Sequence, residues 1–335
     1  MHHLDYVEFY TTNVCNLNCV NCNRFNNFAF SGHEHWNQYY NDYTQWAKRI
    51  TFNRISILGG EPMLNPTFIP AVKGVMELWP NSQINIITNG TQLDRWPELY
   101  DILINNKERV LLRISLHGHQ LKASITESLH KFLQGLVTKS YDPNFFPDGK
   151  WKDMWEIIRG PDWPDCSSSE EFISMPQWIQ DECEMQHDLG PVKWQDENGV
   201  TVIVTMDNRF VESAVKLELG KVSLHNSDPE KAVKICGAKF CHHFVRGQLY
   251  KCAITAVLPD FIKQFKVELS DQDRTLIESA PAVTHDCVDK ELTEFLNGLR
   301  NGTSIDHCKF CPEQYNKHLI ESGIKKIKLT KNYQK

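Results

Sequence analysis

The sequence predicts an α/β fold with a mostly parallel sheet, followed by a cysteine-rich C-terminal module. From residue 6 to about residue 140, short apolar runs alternate with segments of helical periodicity, as in repeated strand–helix units. Six of the eleven cysteines lie between positions 236 and 311, beyond the last of these units. With 335 residues, 41% of them hydrophobic, the chain can bury a sizeable core. We expect one large domain, or one domain with a smaller appendage.

Hydrophobic periodicity assigns the individual elements. The predicted strands cover residues 6–12, 54–58, 84–88, 110–116 and 200–205. The first predicted helix has an apolar face that carries Trp36, Tyr39, Tyr40, Tyr43 and Trp46. Three further helices are predicted over residues 67–79, 93–105 and 122–138. Residues 140–197 carry five of the nine tryptophans among Pro, Gly, Asp and Ser, which indicates an irregular insertion. We place the α/β domain at 1–229, the cysteine-rich module at 230–320 and a basic tail at 321–335.

Composition and charge argue against several classes of function. A net charge of −6 gives no global basic field of the kind that duplex nucleic acid selects, so we do not expect a nucleic-acid substrate. No stretch approaches the roughly 18 apolar residues of a membrane span, and the first residues do not resemble a signal peptide. We expect a cytoplasmic protein whose thiols stay reduced and available to metals.

Three cysteines lie directly after the first predicted strand. Cys15, Cys19 and Cys22 fall within eight residues, and thiolates are soft ligands that suit iron. Three protein ligands leave one iron of a cuboidal cluster open to a small molecule, whereas a structural zinc site closes with four. A fourth thiolate from Cys241 or another distant cysteine would complete a zinc site, so the spacing alone leaves both metals open.

The segment Gly59-Gly60-Glu61-Pro62 follows the second predicted strand, at the end where α/β barrels place their ligand-binding loops. The two glycines allow backbone groups to approach a ligand closely, and Glu61 supplies an acceptor for an ammonium group. A plain turn is the alternative. The position of the segment, one strand after the cysteine loop, favours a ligand site.

With these features the sequence resembles the radical S-adenosylmethionine (radical SAM) superfamily, whose signature is a CxxxCxxC loop after the first strand of a partial (β/α)6 barrel. The resemblance implies that Cys15, Cys19 and Cys22 hold a [4Fe-4S] cluster whose open iron is chelated by S-adenosylmethionine. It assigns the methionine ammonium to Gly59, Gly60 and Glu61, and the carboxylate and ribose to Thr88, Asn89 and Ser115. For Asn89 the alternative is a plain turn at Asn89-Gly90, and for Ser115 it is a plain strand end.

One residue departs from the family pattern. The position before the third cysteine is usually aromatic and shields the adenine side of the cluster, but here it is Asn21. Phe25 is a candidate for that role. Because the cysteine spacing is intact, the departure bears on the packing and tuning of the cluster rather than on its existence.

The resemblance also implies the chemistry. A reducing donor of the flavodoxin or ferredoxin type supplies an electron that passes through the cluster to the sulfonium, and a carbon–sulfur bond breaks to give a 5′-deoxyadenosyl radical. That radical takes hydrogen from the substrate. The catalytic general base is unknown, and His117, His119 and Asp207 are candidates by position alone.

A second group of cysteines lies near the C-terminus: Cys236, Cys241, Cys252, Cys308 and Cys311. A reversal at Gly247 would make a hairpin that presents Cys252 beside Cys236. The spacing resembles the opening of SPASM and twitch extensions, which bind auxiliary [4Fe-4S] clusters, although the last two cysteines of the SPASM pattern are missing. We expect one auxiliary cluster of twitch type, with Cys236, Cys252, Cys308 and Cys311 as ligands and Cys241 as a competitor for one place. A zinc site with the same thiolates is the alternative, and Cys166, Cys183 and Cys287 are expected to be ordinary thiols.

A filled auxiliary cluster accepts or relays an electron, which favours an oxidation. The first expectation is a radical enzyme that acts on a small polar substrate such as a sugar, cyclitol or nucleotide derivative. The alternatives are a radical enzyme that modifies peptides or proteins, and a non-enzymatic zinc or iron–sulfur protein with a structural or redox-sensing role.

Overall fold

The computed structural model describes residues 1–117, 121–133, 192–195, 198–206, 209–218, 221–236, 241–300, 302–314 and 317–319. It divides into two compact units, one formed by Met1–Thr88 with Arg209–Lys335 and the other by Asn89–Asn208. Most of the tryptophan-rich insertion and the basic tail, together with Cys166, Cys183, His119 and Asp207, lie outside the described residues. The domain boundaries predicted above stay a prediction.

Parallel strands alternate with helices, which confirms the predicted α/β class. The strands are β1 His2–Tyr10, β2 Ile50–Leu58, β3 Gln83–Thr88, β4 Val110–Leu116, β5 Val192–Gln195, β6 Thr201–Met206, β7 Arg209–Val211, β8 Val215–Glu218, β9 Lys221–Leu224, β10 His242–Val245, β11 Gln248–Tyr250, β12 Ala282–Val283 and β13 Lys317–Leu319. The helices are α1 Trp36–Ala47, α2 Phe68–Leu78, α3 Glu98–Asn105, α4 Lys122–Phe132, α5 Pro229–Lys234, α6 Ala253–Phe265, α7 Asp271–Glu278 and α8 Asp289–Arg300. No helix in the described part of the chain is both long and apolar enough to cross a membrane.

In the first unit, six strands lie side by side in the order β12-β11-β10-β1-β2-β3. Strand β1 pairs in parallel with both β2 and β10, and β2 pairs in parallel with β3. Strands β11 and β12 are antiparallel additions at the edge. The pairing of β1 with β10 brings the C-terminal module onto the same sheet as the N-terminal cysteine loop, with Glu8 opposite His243.

In the second unit, β4 pairs in parallel with β6, and β5 is antiparallel to β6. The sequence predicts a single helix over residues 93–105, and this is wrong. A short 3-10 helix, Leu93–Arg95, is separated from α3 by Pro97. Proline lacks the backbone N–H that a continuous helix needs, and it disfavours helical geometry at the residue before it.

Helix α1 packs on the first unit through the predicted aromatic stripe. Trp36, Tyr43 and Trp46 are buried, and the ring of Trp36 stacks on that of Tyr43 with centroids 4.9 Å apart. Phe9 of β1 and Phe244 of β10 lie 4.9 Å apart in the same cluster. Alternate residues of β1 therefore point into this aromatic core, which leaves Glu8 and Tyr10 on the opposite face.

The predicted chain reversal at Gly247 is confirmed. Arg246 and Gly247 have φ values of 51° and 72°, and they join β10 to β11 as a tight two-residue turn. The turn is held against α1 because the indole nitrogen of Trp46 donates to the carbonyl oxygen of Gly247 at 2.8 Å. Cys252 follows directly after this hairpin, at the N-cap of α6.

Candidate metal centre

The base of the cysteine loop lies against the segment that follows β2. The backbone N–H of Thr11 donates to Leu58 at 2.8 Å, that of Gly60 to Thr12 at 2.7 Å, and that of Glu61 to Val14 at 2.8 Å. The first strand therefore continues its pairing, in irregular form, up to the residue before Cys15. The two sequence features that suggested a ligand site are neighbours in space.

The two glycines are required by this pairing. A Cβ atom on Gly60 would lie 2.3 Å from the carbonyl oxygen of Val14, and one on Gly59 would lie 2.8 Å from that of Thr12. Both atoms belong to backbone that cannot move aside without breaking the pairing. Gly59 and Gly60 thus allow the cysteine loop to pack against the segment after β2. This role is additional to the one expected from the sequence, which is to let backbone groups approach a ligand closely.

Asparagine side chains shape the interior of the loop. The side-chain amide of Asn26, which is buried, donates to the carbonyl oxygen of Asn13 at 2.5 Å, and the thiol of Cys22 lies 3.6 Å from its Oδ1. Asn21 has a φ of 61°. Asparagine tolerates this left-handed conformation better than most residues do.

Phe25 packs against the C-terminal module, and the shielding role considered above stays a prediction. Its side chain is fully buried, and its ring lies 5.0 Å from that of Phe261 on α6. Phe25 is a core residue that ties the end of the cysteine loop to the C-terminal module.

The three thiols of the loop differ in exposure. Cys19 is buried, whereas Cys15 and Cys22 are partly exposed. The backbone N–H of Leu17 lies 3.4 Å from the sulfur of Cys15. Burial raises the pKa of the Tyr10 hydroxyl, and the nearby Cys22 and Cys15 thiols add to the rise against the opposing effect of Arg24. Cys15 and Cys22 thus both lie within electrostatic range of the Tyr10 hydroxyl.

Glu61 and Thr88 meet at the ends of β2 and β3. The Glu61 side chain is fully buried, and its Oε1 accepts a hydrogen bond from the Thr88 hydroxyl at 2.7 Å and one from the backbone of Met63 at 3.1 Å. A buried carboxylate held by two donors has a fixed direction, as a residue that orients an ammonium group requires. The assignment of these residues to S-adenosylmethionine stays a prediction.

Asn89 and Ser115 belong to the second unit. The side-chain oxygen of Asn89 accepts hydrogen bonds from the backbone and the hydroxyl of Thr91, at 3.0 and 2.7 Å, so Asn89 stabilises a local turn. Ser115 is buried near the end of β4, and His117 follows that strand. Their roles toward a ligand remain predictions.

The thiol of Cys311 lies within electrostatic range of three other C-terminal thiols. Burial raises the pKa of the Cys311 thiol, and Cys252, Cys236 and Cys308 raise it further because a thiolate there would face theirs. Burial likewise raises the pKa of Cys308, with Cys252 contributing. Four thiols whose thiolate forms would repel one another are a suitable ligand set for a metal centre. A bound metal stabilises the thiolates and so lowers the pKa values that burial and mutual repulsion raise.

Cys241 is oriented differently. Burial raises the pKa of its thiol well above the ordinary value, and the charge of Glu8, which accepts a hydrogen bond from the thiol, raises it further. The ligand atoms of Glu8, Cys241 and His243 lie within 4.8 Å of one another. A thiol that stays protonated against a carboxylate is a poor metal ligand. Cys252 also contributes to the rise at Cys241, so Cys241 lies within electrostatic range of the same group and the contested place in the predicted ligand set stays a prediction.

The spacing of the thiols bears on the choice between zinc and an iron–sulfur cluster. Tetrahedral zinc, with Zn–S bonds near 2.3 Å, holds its sulfur ligands about 3.8 Å apart. Within the part of the chain that the structure describes, no three cysteine sulfurs lie within 4.8 Å of one another. The choice between zinc and an iron–sulfur cluster stays a prediction for both groups.

A cavity of about 320 Å³ lies beside the base of the cysteine loop. Its walls include Tyr10, Asn13 and Glu34 on one side and Arg246 and Asp260 on the other. Its volume falls at the lower end of the range of small-molecule sites. Space for a small polar ligand therefore exists next to the residues that lead into the loop.

Sequence reasoning missed the buried polar residues around the loop, above all Glu8, Arg24 and Asn26. A charge between Val7 and Phe9 of an otherwise apolar strand was the available signal for Glu8. No local pattern marked the partners, because they come from segments far apart in sequence.

Comparison with known proteins gives two findings. Residues 9–132 match the family model of the Radical SAM superfamily. The chain is 29% identical over 152 residues to GTP 3',8-cyclase of Listeria monocytogenes serovar 1/2a, 28% over 152 residues to that of Listeria welshimeri, and 25% over 141 residues to that of Nautilia profundicola. These matches cover 40 to 43% of this chain and 42 to 43% of the relatives, so the chain matches less than half of their length.

The family match covers the cysteine loop, the Gly59–Glu61 segment and the strands up to α4. The α/β architecture of the described residues is consistent with the partial radical SAM barrel that the sequence predicted. A [4Fe-4S] cluster and S-adenosylmethionine are the cofactors that this family uses. The C-terminal module lies beyond the matched residues.

Proposed function

The chain carries a radical SAM domain over residues 9–132, and from that premise we propose that it is an oxidising radical enzyme acting on a small polar substrate. The observation that supports this most is the backbone pairing of Thr12 and Val14, which lead into the cysteine loop, with Gly60 and Glu61, whose carboxylate is held by Thr88. When bound, the cluster and S-adenosylmethionine supply the radical that takes hydrogen from the substrate.

The residues of the chain hold and orient these groups. Cys15, Cys19 and Cys22 bind the cluster. Gly59 and Gly60 allow the backbone that leads into the loop to pair closely with the segment after β2. Glu61, held by Thr88, accepts the ammonium of the methionine moiety. Asn89 and Ser115 are the proposed contacts of its carboxylate and ribose.

We assign a single auxiliary [4Fe-4S] cluster to Cys236, Cys252, Cys308 and Cys311. The mutual charge repulsion centred on Cys311 supports this set, and the hydrogen bond to Glu8 argues against Cys241. With all four positions filled by protein, such a cluster accepts or relays an electron. That role suits an oxidation in which the substrate radical must lose an electron.

A nucleotide derivative is the first substrate class to test among sugars, cyclitols and nucleotides. The relatives are named for a reaction of a guanine nucleotide, although they match only part of this chain. The electron donor is proposed to be of the flavodoxin or ferredoxin type.

The experiment is anaerobic reconstitution with iron and sulfide, followed by dithionite and S-adenosylmethionine and measurement of 5′-deoxyadenosine by mass spectrometry. We expect the product from the native protein and a loss of at least a hundredfold in Cys19→Ala. Cys252→Ala should retain part of this activity, because its site is not the one that binds S-adenosylmethionine.

Cys287→Ala is the matched control, because Cys287 belongs to neither cysteine group. It lies near Arg49, whose guanidinium donates to the carbonyl oxygen of Cys287 at 2.6 Å. It should behave as the native protein. A native protein that binds iron but makes no 5′-deoxyadenosine under these conditions would refute the proposed function.

A further inference from the structure

The cavity beside the base of the cysteine loop is lined entirely by residues of the first compact unit. Its walls come from the end of β1 and the residues after it, from the segment Phe30 to Glu34, from the β10–β11 hairpin and from α6. Among the described residues, no cysteine lines it. Its volume of about 320 Å³ lies at the lower end of the range of small-molecule sites, which suits a compact ligand such as a monosaccharide.

Two buried polar atoms of the residues that line this cavity have no hydrogen-bond partner in the part of the chain that the structure describes. They are Oε2 of Glu34 and the hydroxyl oxygen of Tyr10. The other carboxylate oxygen of Glu34 accepts a hydrogen bond from the Tyr43 hydroxyl, which fixes the carboxylate and leaves Oε2 over. Buried polar groups in native proteins are nearly always satisfied, because leaving one without a partner is costly. Two such atoms at one cavity therefore indicate a ligand that completes them.

The two atoms need different partners. Burial raises the pKa of the Tyr10 hydroxyl far above its ordinary value, against the effect of Arg24, so this hydroxyl keeps its proton and can donate it. Burial raises the pKa of Glu34 to about 7, while Tyr43 and Arg246 lower it, so the carboxylate is partly ionised near neutral pH. In the ionised form its Oε2 can only accept. Because a hydroxyl group both donates and accepts, a ligand that carries several hydroxyls can satisfy both atoms.

The charged side chains of the cavity wall nearly balance one another. Nη1 of Arg246 lies 2.5 Å from Oδ2 of Asp260, so these two charges form a pair. Lys263 is exposed and opposite in sign to Glu34, and burial lowers the pKa of His33, which favours its neutral form. A phosphate ester would need a concentration of free cations that this wall does not offer. The charge balance therefore favours a neutral ligand.

We propose that this cavity is a binding site for a neutral polyol of monosaccharide size, a sugar or cyclitol that carries no phosphate. Oε2 of Glu34 accepts a hydrogen bond from one hydroxyl of the ligand, and the Tyr10 hydroxyl donates to another of its oxygens. The buried ring of Phe30 forms part of the apolar wall, against which the carbon atoms of the ligand pack. Binding here requires neither a cluster nor S-adenosylmethionine, so the inference goes beyond the proposed function and does not rest on it.

The test is saturation-transfer difference NMR of the reconstituted, oxidised full chain with D-glucose and with myo-inositol at millimolar concentration. The pH is set above the pKa of Glu34, so that its carboxylate is mostly ionised. We expect at least one of the two compounds to bind. Its dissociation constant should rise about tenfold in Tyr10→Phe, which loses a donor, and about tenfold in Glu34→Gln, which loses a charge-assisted hydrogen bond.

Thermal unfolding without ligand separates a binding role from a structural one. Tyr10→Phe removes a buried hydroxyl that has no partner, and Glu34→Gln keeps an oxygen that can accept from Tyr43. Neither variant should therefore have a lower Tm than the native protein. Tyr40→Phe is the matched control, because its hydroxyl contacts Glu77 and does not line the cavity, and it should bind the compound as the native protein does.

Three results would overturn the proposal. The first is that neither compound binds to the native protein, and the second is that Tyr10→Phe and Glu34→Gln bind as tightly as the native protein does. The third is tighter binding of the phosphate monoester of glucose than of glucose itself, which would contradict a neutral ligand. The release of 5′-deoxyadenosine is measured separately, so a failure of the proposed function and a failure of this binding site are distinguishable.

Discussion

Single residues in the cysteine loop are chosen by backbone geometry as much as by chemistry. Gly60 permits two backbones to pair where any side chain would collide with Val14. Asn21 occupies a left-handed conformation, and Asn26 satisfies a carbonyl group at the start of the loop. A loop that must present three thiols to one centre depends on such residues to keep its shape.

Gly60→Ala tests this account. The added Cβ lies 2.3 Å from a backbone oxygen, so either the loop or the segment after β2 must shift. We expect a loss of about 1–3 kcal/mol in the free energy of unfolding, measured with denaturant, and a lower iron content after reconstitution.

Gly302→Ala is the control for that change, because Gly302 has a φ of 71° and no atom within 4 Å of an added Cβ. It should cost about 1 kcal/mol through its backbone conformation alone and leave the iron content unchanged. Equal behaviour of the two variants would contradict a seating role for Gly60.

At the scale of secondary-structure elements, α6 links the cysteine loop to the C-terminal module. The ring of Phe261 lies 5.0 Å from those of Phe25 and Phe28 and 5.7 Å from that of Phe30, and all four residues are buried. The residues that follow the third cysteine are therefore packed on a helix more than 200 positions later in the sequence.

Phe261→Ala should lower the free energy of unfolding by about 3–5 kcal/mol, because it removes the ring around which three phenylalanines pack. We also expect weaker retention of iron by the N-terminal site, as judged by chelator challenge. Lys263→Ala, an exposed position on the same helix, should change neither quantity. Unaltered iron retention in a destabilised Phe261→Ala would show that α6 does not support the loop.

Local signals in the sequence predicted much of the fold. Alternating apolar runs located β2, β3 and β4, and Gly247 predicted the β10–β11 hairpin. The first strand is longer than predicted, since β1 begins at His2 and ends at Tyr10. Its first residues are stabilised by pairing with β2. This is a tertiary contact, and the intrinsic strand propensity of the residues does not reflect it.

The site was predictable only where its chemistry follows from close spacing. Cys15, Cys19 and Cys22 could be proposed as cluster ligands because they are neighbours in sequence, and this assignment stays a prediction. Glu8 and His243 meet because β1 pairs with β10 in a particular register across more than 230 residues. Such a register depends on the whole sheet, and no window of the sequence specifies it.

At the scale of the whole molecule, both cysteine groups are carried by the first compact unit. Strand β10 joins the sheet next to β1, so the chain segment that carries Cys241 and the hairpin before Cys252 is anchored directly beside the strand that leads to Cys15. The C-terminal module is therefore integrated into the sheet of the N-terminal domain. We expect the two proposed cluster sites to hold a fixed relation to each other.

The most direct test of the central claim is the EPR spectrum of the anaerobically reduced, reconstituted protein with and without S-adenosylmethionine. The account predicts that one cluster signal changes on addition of S-adenosylmethionine and that this component is missing in Cys15→Ser but present in Cys308→Ser. A spectrum that S-adenosylmethionine leaves unchanged in an iron-loaded native protein, or a responsive signal that survives in Cys15→Ser, would contradict it.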